Sequence, residues 1–259
     1  MRINGKVYCL FEQSGTFKQQ FIKLGYNAID LDIQNEYGQT DKVIDLFMEI
    51  DKCYESLMGG AKFKSVFDDM TSDDLLMAFF PCIYFETIQM LDFALQRNGT
   101  TDRPLYSRIE YALDRLQKRT RLHELLYKLT AIADIKGLRL IIENPATKPN
   151  YLISGQNYPP PTIIDNNRME RGDYFRKPTA YWFWNCKPES GFTYQNDKEA
   201  KVITKCERSN GDGLCGGERS LMSPDYARNF ICDFILGKKQ DLSDIVSEDK
   251  KFYFQPSLF

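Results

Sequence analysis

Asp74-Leu75-Leu76-Met77-Ala78-Phe79-Phe80-Pro81-Cys82 is the stretch on which the fold of this chain turns. Leu75 to Phe80 is an unbroken apolar run behind an acidic entry, the pattern of a strand covered on both faces. Pro81 has no N–H to give to a ladder, so the strand stops there. Cys82 then stands just past a strand's carboxyl end. Open α/β sheets bind their ligands at that edge. A thiol there is a candidate nucleophile, or else a small buried hydrophobe, as most free cysteines are, and this stretch alone slightly favours the second.

Upstream, Lys6 to Phe11 reads as a first strand and Glu12 to Thr16 as a polar turn. Phe17, Phe21, Ile22 and Leu24 fit one helix face, and Gly25 stops that helix. Asn27 to Ile33 is a second strand with Asp30 and Asp32 at its end. Strand, small-residue turn, helix, strand and acid form the layout of a mononucleotide-binding half. Asp32 follows Gly15 by 17 residues, close to the usual interval before a ribose-binding carboxylate. A single Gly in the turn suits a ligand without a pyrophosphate, such as S-adenosylmethionine, better than a dinucleotide. Asp41 to Leu46 is expected as a third short strand, with Asp45 near its end, and Phe47 to Leu57 as a helix.

Downstream, residues 83–136 read as helical throughout, one helix spanning Tyr84 to Gln96 and a longer one or a pair from Leu105 to Ile135. The cationic face of the latter is read as solvated, and His123, the only histidine, as exposed. Leu138 to Ile142 is a buried strand ending in Glu143-Asn144-Pro145. Asn150 to Asp173 reads as an irregular segment, and Ala180 to Trp184 as a strand behind a basic, aromatic approach. Residues 187–217 form a polar, Gly-rich excursion. Ser223 and Pro224 start a last helix, and 237–259 is a charged tail.

Composition narrows the classes. The 34 basic and 36 acidic residues nearly cancel, so any nucleic-acid binding rests on a local patch. The seven cysteines are odd in number and scattered, which argues against a disulfide framework, and their spacings do not form a zinc site. No apolar run reaches a membrane span, and no signal-peptide pattern opens the chain. A soluble, cytoplasmic protein without metal or membrane attachment is expected.

Four pieces now stand in one order: Leu10-Phe11 before Ser14-Gly15, Pro81-Cys82, Glu143-Asn144-Pro145, and Arg171-Gly172 with Arg176-Lys177-Pro178-Thr179 before a strand. This order resembles that of the DNA cytosine-5 methyltransferases, over about residues 7–236, in a small branch of viral or mobile-element type. The closing Arg219-Ser220-Leu221 and Pro224-Asp225-Tyr226-Ala227 resemble the segment leading to that family's last helix. The resemblance implies a Rossmann-like, S-adenosylmethionine-dependent methyltransferase domain over 1–236, with residues 83–136 as a helical insertion. The short excursion at 187–217 takes the place of a target recognition domain.

It further implies Cys82 as the nucleophile on carbon 6 of cytosine and Glu143 as the acid at ring nitrogen 3. Phe11, Ser14, Gly15, Asp32, Asp45 and Pro81 would hold S-adenosylmethionine. Asp32 would take the ribose and Asp45 the adenine amino group. DNA is the expected partner, with Arg168, Arg171, Arg176 and Lys177 as candidates for backbone contact. Gln13 stands where the first Gly of the family's turn is expected, Ile83 follows Cys82 where the family has Gln, and Pro145 replaces Val. The Gln13 and Ile83 departures motivate one alternative, a catalytically inactive binding protein of the same fold, and the missing recognition domain a second, a methyltransferase acting on RNA or a free nucleotide.

Overall fold

Leu75–Phe79 forms β4, a strand at the middle of a seven-stranded sheet of order β3-β2-β1-β4-β5-β7-β6. The structure is a computed structural model that describes residues 1–86, 93, 103–147, 149–155, 157–201 and 220–238. The other strands are β1 (Val7–Leu10), β2 (Ala28–Asp32), β3 (Lys42–Val43), β5 (Arg139–Pro145), β6 (Ile163–Asp165) and β7 (Thr179–Trp184). The first five in space, β3-β2-β1-β4-β5, run parallel, and β7 runs antiparallel between β5 and β6. The chain is thus a mixed α/β protein whose sheet is compatible with a Rossmann-like fold. The reversed β7 sets it apart from the six-stranded order of dinucleotide-binding sheets.

The unbroken apolar run at β4 has the cause expected of it. Leu76, Ala78 and Phe80 pack on one side with α2 (Leu46–Leu57) and α3 (Leu105–Lys136). Leu75 and Met77 pack on the other with α1 (Thr16–Lys23) and α5 (Pro224–Phe230), which continues as a π-helical turn over Ile231–Leu236. All five strand and run residues from Leu75 to Ala78 and Phe80 are buried. Truncating any of the leucines would cost about 2–5 kcal/mol.

The strand expected over 41–46 is corrected. Only Lys42–Val43 pairs, because the Asp45 carboxylate accepts from the N–H groups of Phe47 and Met48 and caps α2 one residue earlier than read. The segment 150–173 is less irregular than expected: Asn150 caps a short helix, α4 (Tyr151–Ser154), and β6 follows. His123 is half-buried against the ring of Phe85, with centroids 4.8 Å apart, rather than exposed. Burial, then the charge of Arg119, lowers its pKa. Arg121 and Lys128 on the cationic face of α3 pair with Asp51 of α2, so that face is in part a helix–helix contact.

The helix from Leu105 is single and unbroken. Most of the helix expected over 84–96 lies outside the described residues, as do 202–217 of the excursion, Arg219 and most of the tail. The described part of the excursion is tied to the last helical segment: the N–H groups of Gly191 and Thr193 donate to Asp233. No helix among the described residues is long and apolar enough to cross a membrane.

Candidate active site

β1 lies between β2 and β4, so successive connections diverge from it in opposite directions. A crevice opens at such a switch point, outside the strands' carboxyl ends. Here it is a cleft of about 460 Å³. Its walls are supplied by the turns after β1, β2, β3 and β4, by the end of β5 and by the approach to β7.

Phe11, the first residue after β1, has φ 59°, an uncommon conformation for a side-chain-bearing residue. Its N–H still donates to Leu31 O at 2.8 Å, so the chain turns out of the sheet at this point. The Phe11 ring meets Phe47 at 5.8 Å and Phe80 at 5.4 Å, and all three line the cleft. Asp32 at the end of β2 lines it too. Burial raises its pKa, against the N–H groups of Gln34 and Ile33. Asp45, Ser14 and Pro81 also face the cleft, Asp45 with its carboxylate engaged in capping α2. Gly15 does not. It sits at φ 67° as the N-cap of α1 and borders an adjoining cleft of about 180 Å³, which Ser14 shares.

Two more residues complete the turn: Glu12, which the sequence did not single out, and Gln13. The buried Glu12 carboxylate accepts from Phe17 N at 2.6 Å and Lys18 N at 3.2 Å. These are the free donors at the start of α1 that a phosphate would otherwise use. Burial pushes the Glu12 pKa up to about 7, with those N–H groups pulling it down. Gln13 reaches across the rim: its Nε2 donates to Gln34 Oε1 at 3.0 Å. The signal for Glu12 was its place four residues before a helix start, but nothing in the sequence separates such a cap from a solvated acid.

Cys82 and Glu143 line this same cleft. Glu143 pairs in register with Phe79 across β4 and β5. Asn144 Nδ2 donates to Phe80 O at 2.8 Å and holds the two strand ends together. Glu143 is 7% exposed. Burial pushes its pKa up to about 7, with Lys177 and Arg168 pulling down and Glu86 pushing up. Burial, with Glu86 beside it, holds the Cys82 thiol well above the usual range, while Lys177 opposes.

The four expected backbone-contact residues separate. Lys177 lines the cleft. Arg176 is exposed but does not line it. Arg168 and Arg171 correct the expectation of exposed contacts. Arg168 is 1% exposed, with its Nε 2.6 Å from Asp173 Oδ2, and it lines the cleft from inside the fold. Arg171 is buried between Asp165 at 3.7 Å and Asp233 at 3.5 Å. A buried charge needs such partners, and these hold the two guanidiniums away from solvent.

Among the described residues no cluster of three or more His, Cys, Asp or Glu side chains could hold a metal ion. Compared with known proteins, the chain matches no family model and no curated relative.

Proposed function

We propose that this protein is an S-adenosylmethionine-dependent methyltransferase acting on carbon 5 of cytosine in DNA, with Cys82 as nucleophile and Glu143 as acid. The observation that carries this reading is that the Cys82 thiol and the Glu143 carboxyl open on one cleft, at the sheet's switch point, beside Phe11 and Asp32.

The cleft suits the cofactor in four ways. The rings of Phe11, Phe47 and Phe80 offer an apolar wall for adenine. Asp32 stands where ribose hydroxyls are taken in doubly wound sheets. Glu12 fills the phosphate position at α1, which disfavours nucleotides and dinucleotides and admits a ligand with no phosphate. Asp45, being committed to its cap, has one carboxylate oxygen left for an amino group.

S-adenosylmethionine, when bound, supplies an electrophilic methyl group. The chain's own residues prepare the acceptor. Carbon 5 of cytosine is a poor nucleophile until a thiolate adds at carbon 6 and turns the ring into an enamine. Glu143, poised near neutrality, donates a proton to ring nitrogen 3 as that charge develops. Arg168 and Lys177 favour the carboxylate that remains. A base in duplex DNA must leave the stack to reach this pair inside the cleft.

A second reading is methyl transfer to RNA or a free nucleotide; the burial of Arg168 and Arg171, which removes two of four expected backbone contacts, favours the free nucleotide. Both readings meet one test. Labelled S-adenosylmethionine is incubated with cytosine-containing duplex DNA, single-stranded RNA and CTP, and the base is recovered. 5-Methylcytosine in the DNA alone supports the proposal. Label in the RNA or CTP alone transfers it to the second reading. No cofactor binding by calorimetry removes both.

A further inference from the structure

A thiol nucleophile has a proton to lose, and one acceptor stands beside Cys82. Cys82 Sγ donates to Glu86 Oε1 at 3.2 Å. The same oxygen lies 3.9 Å from Lys177 Nζ, with Glu86 and Lys177 28% and 16% exposed. The turn after β4 sets this geometry: the N–H groups of Phe85 and Glu86 both donate to Cys82 O, at 2.8 and 3.3 Å. Phe85 is fully buried, and its carbonyl accepts from Tyr151 N at 2.9 Å, so the turn is anchored to α4. Lys177 comes from the opposite wall, next to Pro178, whose carbonyl accepts from Ala146 N just past β5. The chain's one histidine does not line the cleft.

We propose that Glu86 is a catalytic residue that takes the Cys82 proton as the sulfur attacks, and that Lys177 is the positioning residue that holds its carboxylate. This role rests on the cytosine-5 methyltransferase reading for the identity of the electrophile. In the step, the S–H bond breaks and its proton passes to Glu86 Oε1, while the sulfur forms a bond to carbon 6. The carbon 5–carbon 6 π pair moves to join carbons 5 and 4, the carbon 4–nitrogen 3 π pair moves onto nitrogen 3, and that nitrogen takes a proton from Glu143. One carboxylate gains a proton as the other gives one up, so the charge of the site is unchanged. After the methyl group has joined carbon 5, water takes the carbon 5 proton, the carbon 6–sulfur bond breaks as the ring double bond re-forms, nitrogen 3 returns its proton to Glu143, and Glu86 returns its own to sulfur.

The test compares two rates at Cys82 in the full-length wild type, Glu86→Gln, Glu86→Asp and Lys177→Gln. The first is alkylation of the thiol by iodoacetamide from pH 6 to 10, followed by mass spectrometry. The second is formation of the covalent adduct with a 5-fluorocytosine duplex and S-adenosylmethionine. Glu86→Gln removes an acceptor and a negative charge beside the thiol, so alkylation at neutral pH becomes faster. Adduct formation becomes about a hundredfold slower or more, the size of a lost proton-transfer catalyst. Glu86→Asp restores most of the adduct rate, and Lys177→Gln slows it less than Glu86→Gln does.

If Glu86→Gln raises both rates together, Glu86 only restrains the thiol and the proposal is overturned. An unchanged alkylation profile overturns the pair itself. Adduct in the wild type and equally fast in Glu86→Gln removes the role of Glu86 alone, and no adduct from any form removes the methyltransferase reading along with it.

Discussion

Phe79 of β4 pairs with Glu143 of β5, and this one register point brings two distant parts of the chain to one cleft. The strand run that ends in Pro81-Cys82 and the strand that ends in Glu143-Asn144 must be neighbours and parallel for this to happen. They are. The proposed chemistry follows from that adjacency, and so do the effects expected of substitutions around it.

Glu143 should make both stability and activity fall as pH rises, and Glu143→Gln should move the two in opposite directions. Its carboxyl is held up to about 7 in the folded chain, against about 4.3 in an unfolded one. Between those values the folded chain binds the extra proton, so stability falls as pH rises through that window and levels off above about 7. Glu143→Gln removes the penalty. In thermal denaturation it is more stable than wild type at pH 8, by an order of 2–3 kcal/mol, and the gain shrinks toward pH 5. Methyl transfer drops at least about a hundredfold in the same variant. The wild-type loss of turnover above about pH 7 disappears with it.

Asn144 is the clasp between the two strand ends. Asn144→Ala leaves the Phe80 carbonyl buried without its donor. That costs about 1–3 kcal/mol in chemical denaturation. Cofactor affinity should change little, because Phe11 follows β1 and Asp32 ends β2.

Asp32 and Glu12 divide the cofactor selectivity between them. Asp32→Ala weakens S-adenosylmethionine binding by about ten- to a hundredfold in calorimetry, the worth of a hydrogen bond to a charged group. NAD and ATP at millimolar concentration do not compete, since Glu12 already occupies the donors at the start of α1.

Asp173 is the partner that lets Arg168 be buried. Asp173→Asn leaves that guanidinium without a counter-charge in the interior and lowers stability by about 3–5 kcal/mol. Arg176→Ala, at an exposed position, leaves stability unchanged. A comparison of the two melting curves separates a buried pair from a surface contact.

Much of the frame was legible in the sequence, because period and punctuation follow directly from burial. The Leu75–Phe80 run is apolar on both faces because helices cover both, and Pro81 ends it. The first strand, helix, strand and acid were legible for the same reason. The third strand was not, since an Asp ahead of an apolar helix face can close a strand or cap a helix, and Asp45 caps. Arg168 and Arg171 were misplaced because a basic, aromatic stretch reads alike on a surface and around buried ion pairs. Only the acids Asp165, Asp173 and Asp233 decide it, and two of those arrive from separate elements. Glu86 was invisible for a related reason. Four residues from Cys82 would also suit a solvated helix, and its relation to the thiol depends on the turn that Phe85 anchors.

The most direct measurement is the mass of the Cys82 peptide after incubation with S-adenosylmethionine and a duplex containing 5-fluorocytosine. The prediction is a methylated fluorocytosine adduct on Cys82, stable to denaturation and absent from Cys82→Ser. An adduct that persists in Cys82→Ser, or maps to another residue, would contradict the assignment of the nucleophile. A wild-type chain that binds both ligands and forms no adduct would contradict the proposed chemistry itself.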